Sequence, residues 1–206
     1  MSKDLHENDH EWLDFGTEVS SDPDKVLRCG WRSKESQLMR FEVILGEICD
    51  GDRILDVGCG TGDFYQYLKD SGINFSYVGT DISPDLLKIA EARYKKENAR
   101  FVLMDILDLE PNYRWLSKSE VVVASGIFTM RKHRSLEYLD TMISRMMALS
   151  TSVVAFNLLS SFADEIKDSS RYYSPSEVIM LITRHTHKFK ILHDYMPHDF
   201  TCVLYK

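Results

Sequence analysis

The residues with the clearest chemical meaning form a glycine-rich turn after a short apolar run. The turn reads Asp56-Val57-Gly58-Cys59-Gly60-Thr61-Gly62-Asp63, and its glycines let a ligand approach backbone N–H groups without obstruction by a Cβ atom. A dinucleotide fingerprint requires G-x-G-x-x-G, but Asp63 stands where its third glycine belongs, and a P-loop requires Gly-Lys-Ser/Thr, which is absent. Because Asp56 and Asp63 would repel a diphosphate, the turn favours a cationic or zwitterionic nucleoside.

Two further acidic residues end the next two predicted strands. Asp81 lies in Val78-Gly79-Thr80-Asp81-Ile82-Ser83, and Asp105 lies in Leu103-Met104-Asp105-Ile106. Taken alone, each feature has a simpler interpretation: the glycine turn as a tight loop, Asp81 as a helix N-cap and Asp105 as a solvated turn residue. Their order at successive strand ends favours one cofactor site, because open α/β sheets bind ligands at the carboxyl ends of their strands.

The segment LDVGCGTGDF, residues 55–64, resembles the first motif of class I S-adenosylmethionine-dependent methyltransferases, and the resemblance extends to about Lys206. It implies that the glycine turn receives the methionine part of the cofactor and that Asp105 binds the adenine amine. It also implies that Asp81 takes both ribose hydroxyls, which suits a carboxylate because it accepts hydrogen bonds and has no competing donor. The residues thereby expected to bind the cofactor are Asp56, Gly58, Cys59, Gly60, Gly62, Asp81, Ile82, Asp105, Ile106 and Ser125.

The elements that must position these residues alternate between strands and helices. Apolar runs predict strands at 53–57, 75–79, 100–104, 120–124 and 152–157. Helical spacing and capping residues predict helices at about 33–49, 63–69, 83–96, 133–149 and 175–183. Residues 188–205 predict a terminal hairpin. The expected fold is α/β: a doubly wound, seven-stranded, mostly parallel sheet with a C-terminal antiparallel β-hairpin strand, as in class I methyltransferases.

Composition limits the class of protein. The chain has 206 residues, 44% of them hydrophobic, and its 25 Lys and Arg against 32 Asp and Glu give a net charge of −7. This excludes disorder of the whole chain, and no apolar run approaches the ~20 residues of a membrane span. An acidic start without an apolar signal region and four cysteines without metal spacing predict a cytoplasmic protein. We expect an N-terminal extension and lid helix at 1–50 and the S-adenosylmethionine-binding core at 51–206.

The catalytic residues are harder to predict, because methyl transfer depends mainly on positioning the acceptor in line with the sulfur. His193 and His198, on the hairpin, are candidates for a general base, and Asn157 closes the fifth strand. The simpler alternatives are a polar hairpin tip for the histidines and a strand-end hydrogen bond for Asn157. A metal is disfavoured, because no ligand set is fixed. The substrate-binding candidates are Trp31, Arg32, Phe128, Arg131 and Tyr195.

A small-molecule acceptor, methylated on oxygen or nitrogen rather than carbon, is the leading functional hypothesis. The chain is nearly all core fold, and its negative charge disfavours nucleic acid, whose binding is driven by Lys and Arg. We expect no membrane partner and either a monomer or a homodimer. The basic cluster at 131–134 keeps an RNA or protein methyltransferase open, and a cofactor-binding regulator without turnover is the third alternative.

Overall fold

A computed structural model describes residues 33–108, 118–129 and 136–206, which form one twisted sheet with helices on both faces. The strands are β1 (Arg53–Val57), β2 (Ser76–Asp81), β3 (Ala99–Leu103), β4 (Ser119–Ala124), β5 (Ser150–Ser160), β6 (Tyr172–Tyr173), β7 (Phe189–Met196) and β8 (Asp199–Tyr205). The helices are α1 (Lys34–Leu45), α2 (Asp63–Ser71), α3 (Pro84–Arg93), α4 (Leu136–Leu149) and α5 (Pro175–Ile182), with a 3-10 turn at Ile106–Asp108.

The sheet has the strand order β3-β2-β1-β4-β5-β8-β7, and the short β6 pairs with the end of β5. Strands β1 to β5 pair in parallel, whereas β8 is antiparallel to both β5 and β7. The predicted α/β fold and its terminal hairpin are confirmed. The carboxyl ends of β1 to β5 and of β7 therefore meet at one edge of the sheet.

Burial explains why the strands have the sequences they have. Val121, Val122, Val123 and Ala124 of β4 are all buried, as expected of a central parallel strand covered by helices on both faces. One core layer packs α4 and α5 against alternate residues of the strands, and a second packs α1 and α2 against the others. None of the helices in the described ranges combines the length and apolarity needed to span a bilayer.

Capping residues determine where α2 and α3 begin, at the edge of the sheet where the strands end. Ser83 caps α3 by accepting a hydrogen bond from the Leu86 N–H, and Pro84 is the first helical residue, as the sequence predicts. Helix α2 begins directly after the glycine turn, and its N-cap is Gly62, whose φ is 80°. Each of these helices thus begins beside the carboxyl end of the preceding strand, where a ligand would bind.

Candidate functional site

The glycine turn after β1 has a backbone conformation that strongly favours glycine. Gly58 and Gly62 have φ values of 75° and 80°, which are strained for residues with a side chain. The Gly58 N–H and the Cys59 N–H both donate to the Thr80 carbonyl, at 2.7 and 3.0 Å. A Cβ atom on Gly58 would lie 2.1 Å from Cγ2 of Ile127. The turn is therefore held between the end of β2 and the loop after β4.

Asp81, at the end of β2, connects the glycine turn to α3. Its Oδ2 accepts a hydrogen bond from the Gly60 N–H, and its Oδ1 accepts one from the Ser83 N–H, both at 2.8 Å. Burial raises the pKa of Asp81, while these backbone donors oppose the rise. A carboxylate has about four lone-pair sites, so the two backbone contacts leave acceptor capacity for a diol.

Asp56, inside β1, is paired with a tyrosine. The Tyr77 hydroxyl donates to Oδ2 of Asp56 at 2.5 Å. Burial raises the pKa of Asp56 to about 7, the Tyr77 hydrogen bond lowers it, and the nearby charge of Asp81 raises it further. A cation bound beside this pair would favour the ionised carboxylate.

Asp63, the first residue of α2, holds neighbouring helices against the turn. Its Oδ1 accepts from Arg93 Nη1 at 2.9 Å, and its Oδ2 accepts from Gln37 Nε2 at 3.3 Å. The same Arg93 nitrogen donates to the Thr61 carbonyl at 3.1 Å. These contacts join α1, α2 and α3, and sequence reasoning missed them because their members lie about 30 residues apart.

A cavity of about 490 Å³ opens along the carboxyl ends of the strands, a size typical of small-ligand sites. Of the residues expected to bind the cofactor, Gly62 does not line it. The cavity is lined by Asp56, Gly58, Cys59, Gly60, Asp81, Ile82, Asp105, Ile106 and Ser125. Its acidic and backbone N–H groups fit a cationic nucleoside with a free diol, which is the chemistry of S-adenosylmethionine.

Asn157, a catalytic candidate in the sequence, lies behind the cavity wall instead of in it. Its Nδ2 donates to Ser125 Oγ at 2.8 Å, and its Oδ1 accepts from the Gly126 N–H at 3.0 Å. The side chain is buried and does not line the cavity. The geometry therefore does not support direct contact between Asn157 and an acceptor. Instead, the two hydrogen bonds fix the loop after β4.

Phe128 and His193, both candidates from the sequence, also lie away from the cavity. Phe128 is fully buried and packs edge-on against Phe156, with ring centroids 5.7 Å apart. The His193 ring lies between Phe162 and Phe200, at 5.9 and 5.8 Å. Because β7 is the outermost strand, only the turn after it reaches the cavity, and His193 lies before that turn. The hypotheses for Phe128 and His193 are therefore not supported.

Tyr195 is held in a buried network and does not line the cavity either. Its hydroxyl contacts Asp199 Oδ1 at 2.6 Å and Thr201 Oγ1 at 2.8 Å. Asp199 Oδ2 also accepts from Arg40, at 2.8 Å from Nε and 2.7 Å from Nη2. The network joins α1 to the hairpin, so Tyr195 supports the cavity wall rather than forming it.

His198, in the turn between β7 and β8, is the catalytic candidate that lines the cavity. Its carbonyl accepts a hydrogen bond from the Ser160 N–H at 3.0 Å, which fixes the turn against the end of β5. The other polar side chains that line this part of the cavity are Arg40, Lys167, Ser169, Ser170 and Tyr172. Lys167, Ser169 and Ser170 were not predicted as site residues, because the segment after β5 has no periodic pattern.

Three substrate-binding candidates, Trp31, Arg32 and Arg131, lie outside the described residues. Within the described ranges, no group of three or more His, Cys, Asp or Glu side chains is arranged to hold a metal ion.

Comparison with known proteins agrees with this geometry. A family model described as a methyltransferase domain matches residues 54–150. A putative methyltransferase of Mycobacterium tuberculosis is 32% identical over 162 residues, covering 74% of this chain and 92% of the relative.

Solved structures share the fold at low sequence identity. Magnesium protoporphyrin IX methyltransferase from Synechocystis PCC 6803, with bound SAM, has a TM-score of 0.66 at 16% identity, covering 97% of this chain and 93% of its own. The CcbJ methyltransferase from Streptomyces caelestis has a TM-score of 0.69 at 13% identity, covering 93% and 97%.

The glycine turn, the acidic strand ends and the strand order define the fold and cofactor cavity of a class I methyltransferase. The chain belongs to the S-adenosylmethionine-dependent methyltransferase family, and S-adenosylmethionine is its cofactor.

Proposed function

We propose that this methyltransferase acts on a small molecule and transfers the methyl group to oxygen or nitrogen. The observation that carries the proposal is the extent of the cavity. It continues from the glycine turn past Ser125 to Leu159, at the end of β5, and to His198. A cavity of about 490 Å³ suits a cofactor and a compact acceptor, whereas a polynucleotide needs an extended basic groove.

The proposed division of labour follows from where the side chains lie. When bound, S-adenosylmethionine would supply a methyl group activated by its sulfonium: an acceptor lone pair would form a bond to the methyl carbon while the C–S bond breaks and its electron pair stays on sulfur. Asp81 and the glycine turn hold the cofactor, and Asn157 fixes Ser125 beside it. His198 takes the proton that a hydroxyl or ammonium acceptor must lose, because a neutral imidazole can accept a proton near pH 7.

The test is methyl transfer from isotope-labelled S-adenosylmethionine in parallel reactions with a small-metabolite extract, total RNA and a protein mixture. We expect label in the small-metabolite reaction. Label confined to RNA or to protein would refute the proposal, and tight cofactor binding with no labelled product would favour a regulator without turnover.

A second experiment tests His198 on the labelled acceptor. The variant His198→Gln should lower kcat by about 10²–10⁴-fold while leaving S-adenosylhomocysteine affinity within about twofold of wild type. The matched control is His187→Gln, because His187 is exposed and does not line the cavity. If the two variants have the same kcat, His198 is not the proton acceptor.

A further inference from the structure

The charged side chains that line the cavity are sorted by sign along the sheet edge. Among the residues that the structure describes, the charged ones at the ends of β1, β2 and β3 and at the start of α2 are all acidic. These four are Asp56, Asp63, Asp81 and Asp105. At the other end, toward β5 and the hairpin, the charged or titratable side chains contributed by the described residues are Arg40, Lys167 and His198. The cofactor end is thus negative, and the end left for an acceptor is basic.

Strand pairing explains how the basic end is assembled. Leu159, near the end of β5, pairs with Asp199 of β8 on one side and with Tyr172 of β6 on the other. The Lys167 N–H donates to the Tyr172 hydroxyl at 3.2 Å, which ties the Lys167 segment to β6. The Lys167 segment and the hairpin turn that carries His198 are therefore tied to the two sides of the same strand end.

Arg40 gives this end a fixed cation. Its side chain is only 6% exposed and lines the cavity, whereas its ion-pair partner Asp199 does not line it. Both Arg40 contacts go to one oxygen of Asp199, and the Tyr195 hydroxyl contacts the other oxygen. Because a buried guanidinium is costly unless it is paired, the pairing holds Arg40 rigidly in the cavity wall. Arginine suits carboxylates and phosphates, since its planar donors match their oxygens.

We propose that the methyl acceptor carries an anionic group, a carboxylate or a phosphate, which Arg40 and Lys167 hold at the β5–β8 end of the cavity. The inference rests on the proposed small-molecule function. Ser169 and Ser170 add hydroxyl groups at the same end, whereas the Tyr172 hydroxyl donates to the Glu165 carbonyl at 3.3 Å. The acidic neighbours of Lys167 in this segment, Asp164, Glu165 and Asp168, do not line the cavity.

The test uses calorimetry on full-length protein saturated with S-adenosylhomocysteine, with probes that differ in charge but little in shape. The pairs are 4-hydroxybenzoate with 4-hydroxybenzamide, salicylate with salicylamide, and phenylphosphonate with benzenesulfonamide. We expect the anion of at least one pair to bind about tenfold or more tightly than its neutral partner, as charge-assisted hydrogen bonds predict. If no anion binds more tightly than its neutral partner, whether both bind equally or neither binds, the inference is overturned.

Variants then assign the effect to the named side chains. Lys167→Gln should weaken binding of the preferred anion about fivefold or more without changing the affinity for its neutral partner or for S-adenosylhomocysteine. The matched control is Lys188→Gln, because Lys188 is exposed and lies outside the cavity. An equal loss for anion and neutral partner, or an equal effect of both variants, would refute a role of Lys167.

Arg40 requires a variant that still folds, since removing it alone leaves Asp199 buried without its ion-pair partner. The double variant Arg40→Leu with Asp199→Leu replaces the buried pair by apolar side chains, a change that is often tolerated. It should bind S-adenosylhomocysteine normally and lose the preference for the anion; an unchanged preference would exclude Arg40. Methyl transfer to neutral small molecules without any preference for acids would refute this inference alone, whereas label confined to RNA or protein would refute the proposed function itself.

Discussion

Replacing Gly58 by alanine tests whether the glycine turn is fixed by backbone conformation and by the packing of Ile127. The φ of Gly58 is 75°, and placing an alanine there costs about 1–2 kcal/mol. The new Cβ would lie 2.1 Å from Ile127 Cγ2, and such overpacking adds about 1–3 kcal/mol. We therefore expect Gly58→Ala to lower the free energy of unfolding by about 2–5 kcal/mol and to weaken S-adenosylhomocysteine binding.

Gly72→Ala provides the matched control for backbone strain. Gly72 has a φ of 79°, close to that of Gly58, but a Cβ atom there would meet nothing within 4 Å. Its alanine variant should therefore lose only the conformational part, about 1–2 kcal/mol. Urea denaturation of both variants measures the difference, and calorimetry with S-adenosylhomocysteine shows whether cofactor binding changes with it.

A second-site change isolates the contact with Ile127. Ile127→Ala removes Cγ2 and leaves Ile127 Cβ 3.5 Å from the added atom of Gly58→Ala, which is an ordinary van der Waals distance. In a double-mutant cycle, the Gly58→Ala loss should be smaller in the Ile127→Ala background. If Gly58→Ala and Gly72→Ala cost the same, or if the Ile127→Ala background brings no relief, the steric account of the turn is refuted.

Three further predictions concern the carboxylates and Asn157. Asp81→Ala should weaken S-adenosylhomocysteine binding in calorimetry by about 1–3 kcal/mol, whereas Asp85→Ala, which does not line the cavity, should not; equal affinities would remove Asp81 from the site. The pKa of Asp56 is raised from 3.8 to about 7, which means that the folded state binds the proton more tightly than the unfolded state. The stability that this proton contributes, about 4 kcal/mol, is complete below about pH 4 and is lost as the pH rises through about 7. The urea midpoint of the cofactor-free protein should thus fall between pH 5 and pH 8, and an undiminished fall in Asp56→Asn would contradict this assignment. Asn157→Ala leaves the Gly126 N–H and the Ser125 hydroxyl without this partner and should lower the free energy of unfolding by about 1–3 kcal/mol. An unchanged free energy of unfolding would show that Asn157 does not hold the loop after β4.

Local chemistry made much of the fold predictable. The Val run of β4 signals burial on both faces, and Ser83 followed by Pro84 signals a helix start. The positions of Asp56 and Asp81 follow from the strand-end rule, because parallel strands bring their carboxyl ends to one edge. The two-residue β6 was not predicted, since a pair of tyrosines is too short to show a period of two.

The β5–β8 end of the cavity was less predictable because it depends on contacts that leave no local pattern. The sequence predicts His193 at the end of a strand and His198 in the turn after it, and both were candidates for a general base. The position of β7 at the outer edge of the sheet decides which of the two reaches the cavity. His198, in the turn, lines the cavity, whereas His193, on β7, lies among aromatic rings. Lys167 lies in an irregular segment, so nothing in its neighbours indicates that it faces a site.

The ion pair between Arg40 and Asp199 also bears on the order in which the elements fold during synthesis: α1 gains its ion-pair partner only after β8 has been made. The two residues are separated by 159 positions, so a chain emerging from the ribosome displays α1 long before β8 exists. Docking α1 early would bury the Arg40 guanidinium without its carboxylate, which is unfavourable. The glycine turn and β1 to β4 can associate first, and the β5–β8 end of the cavity closes only when the hairpin arrives. A nascent chain halted before Asp199 would therefore carry the glycine turn and the acidic strand ends without a completed wall at the β5–β8 end.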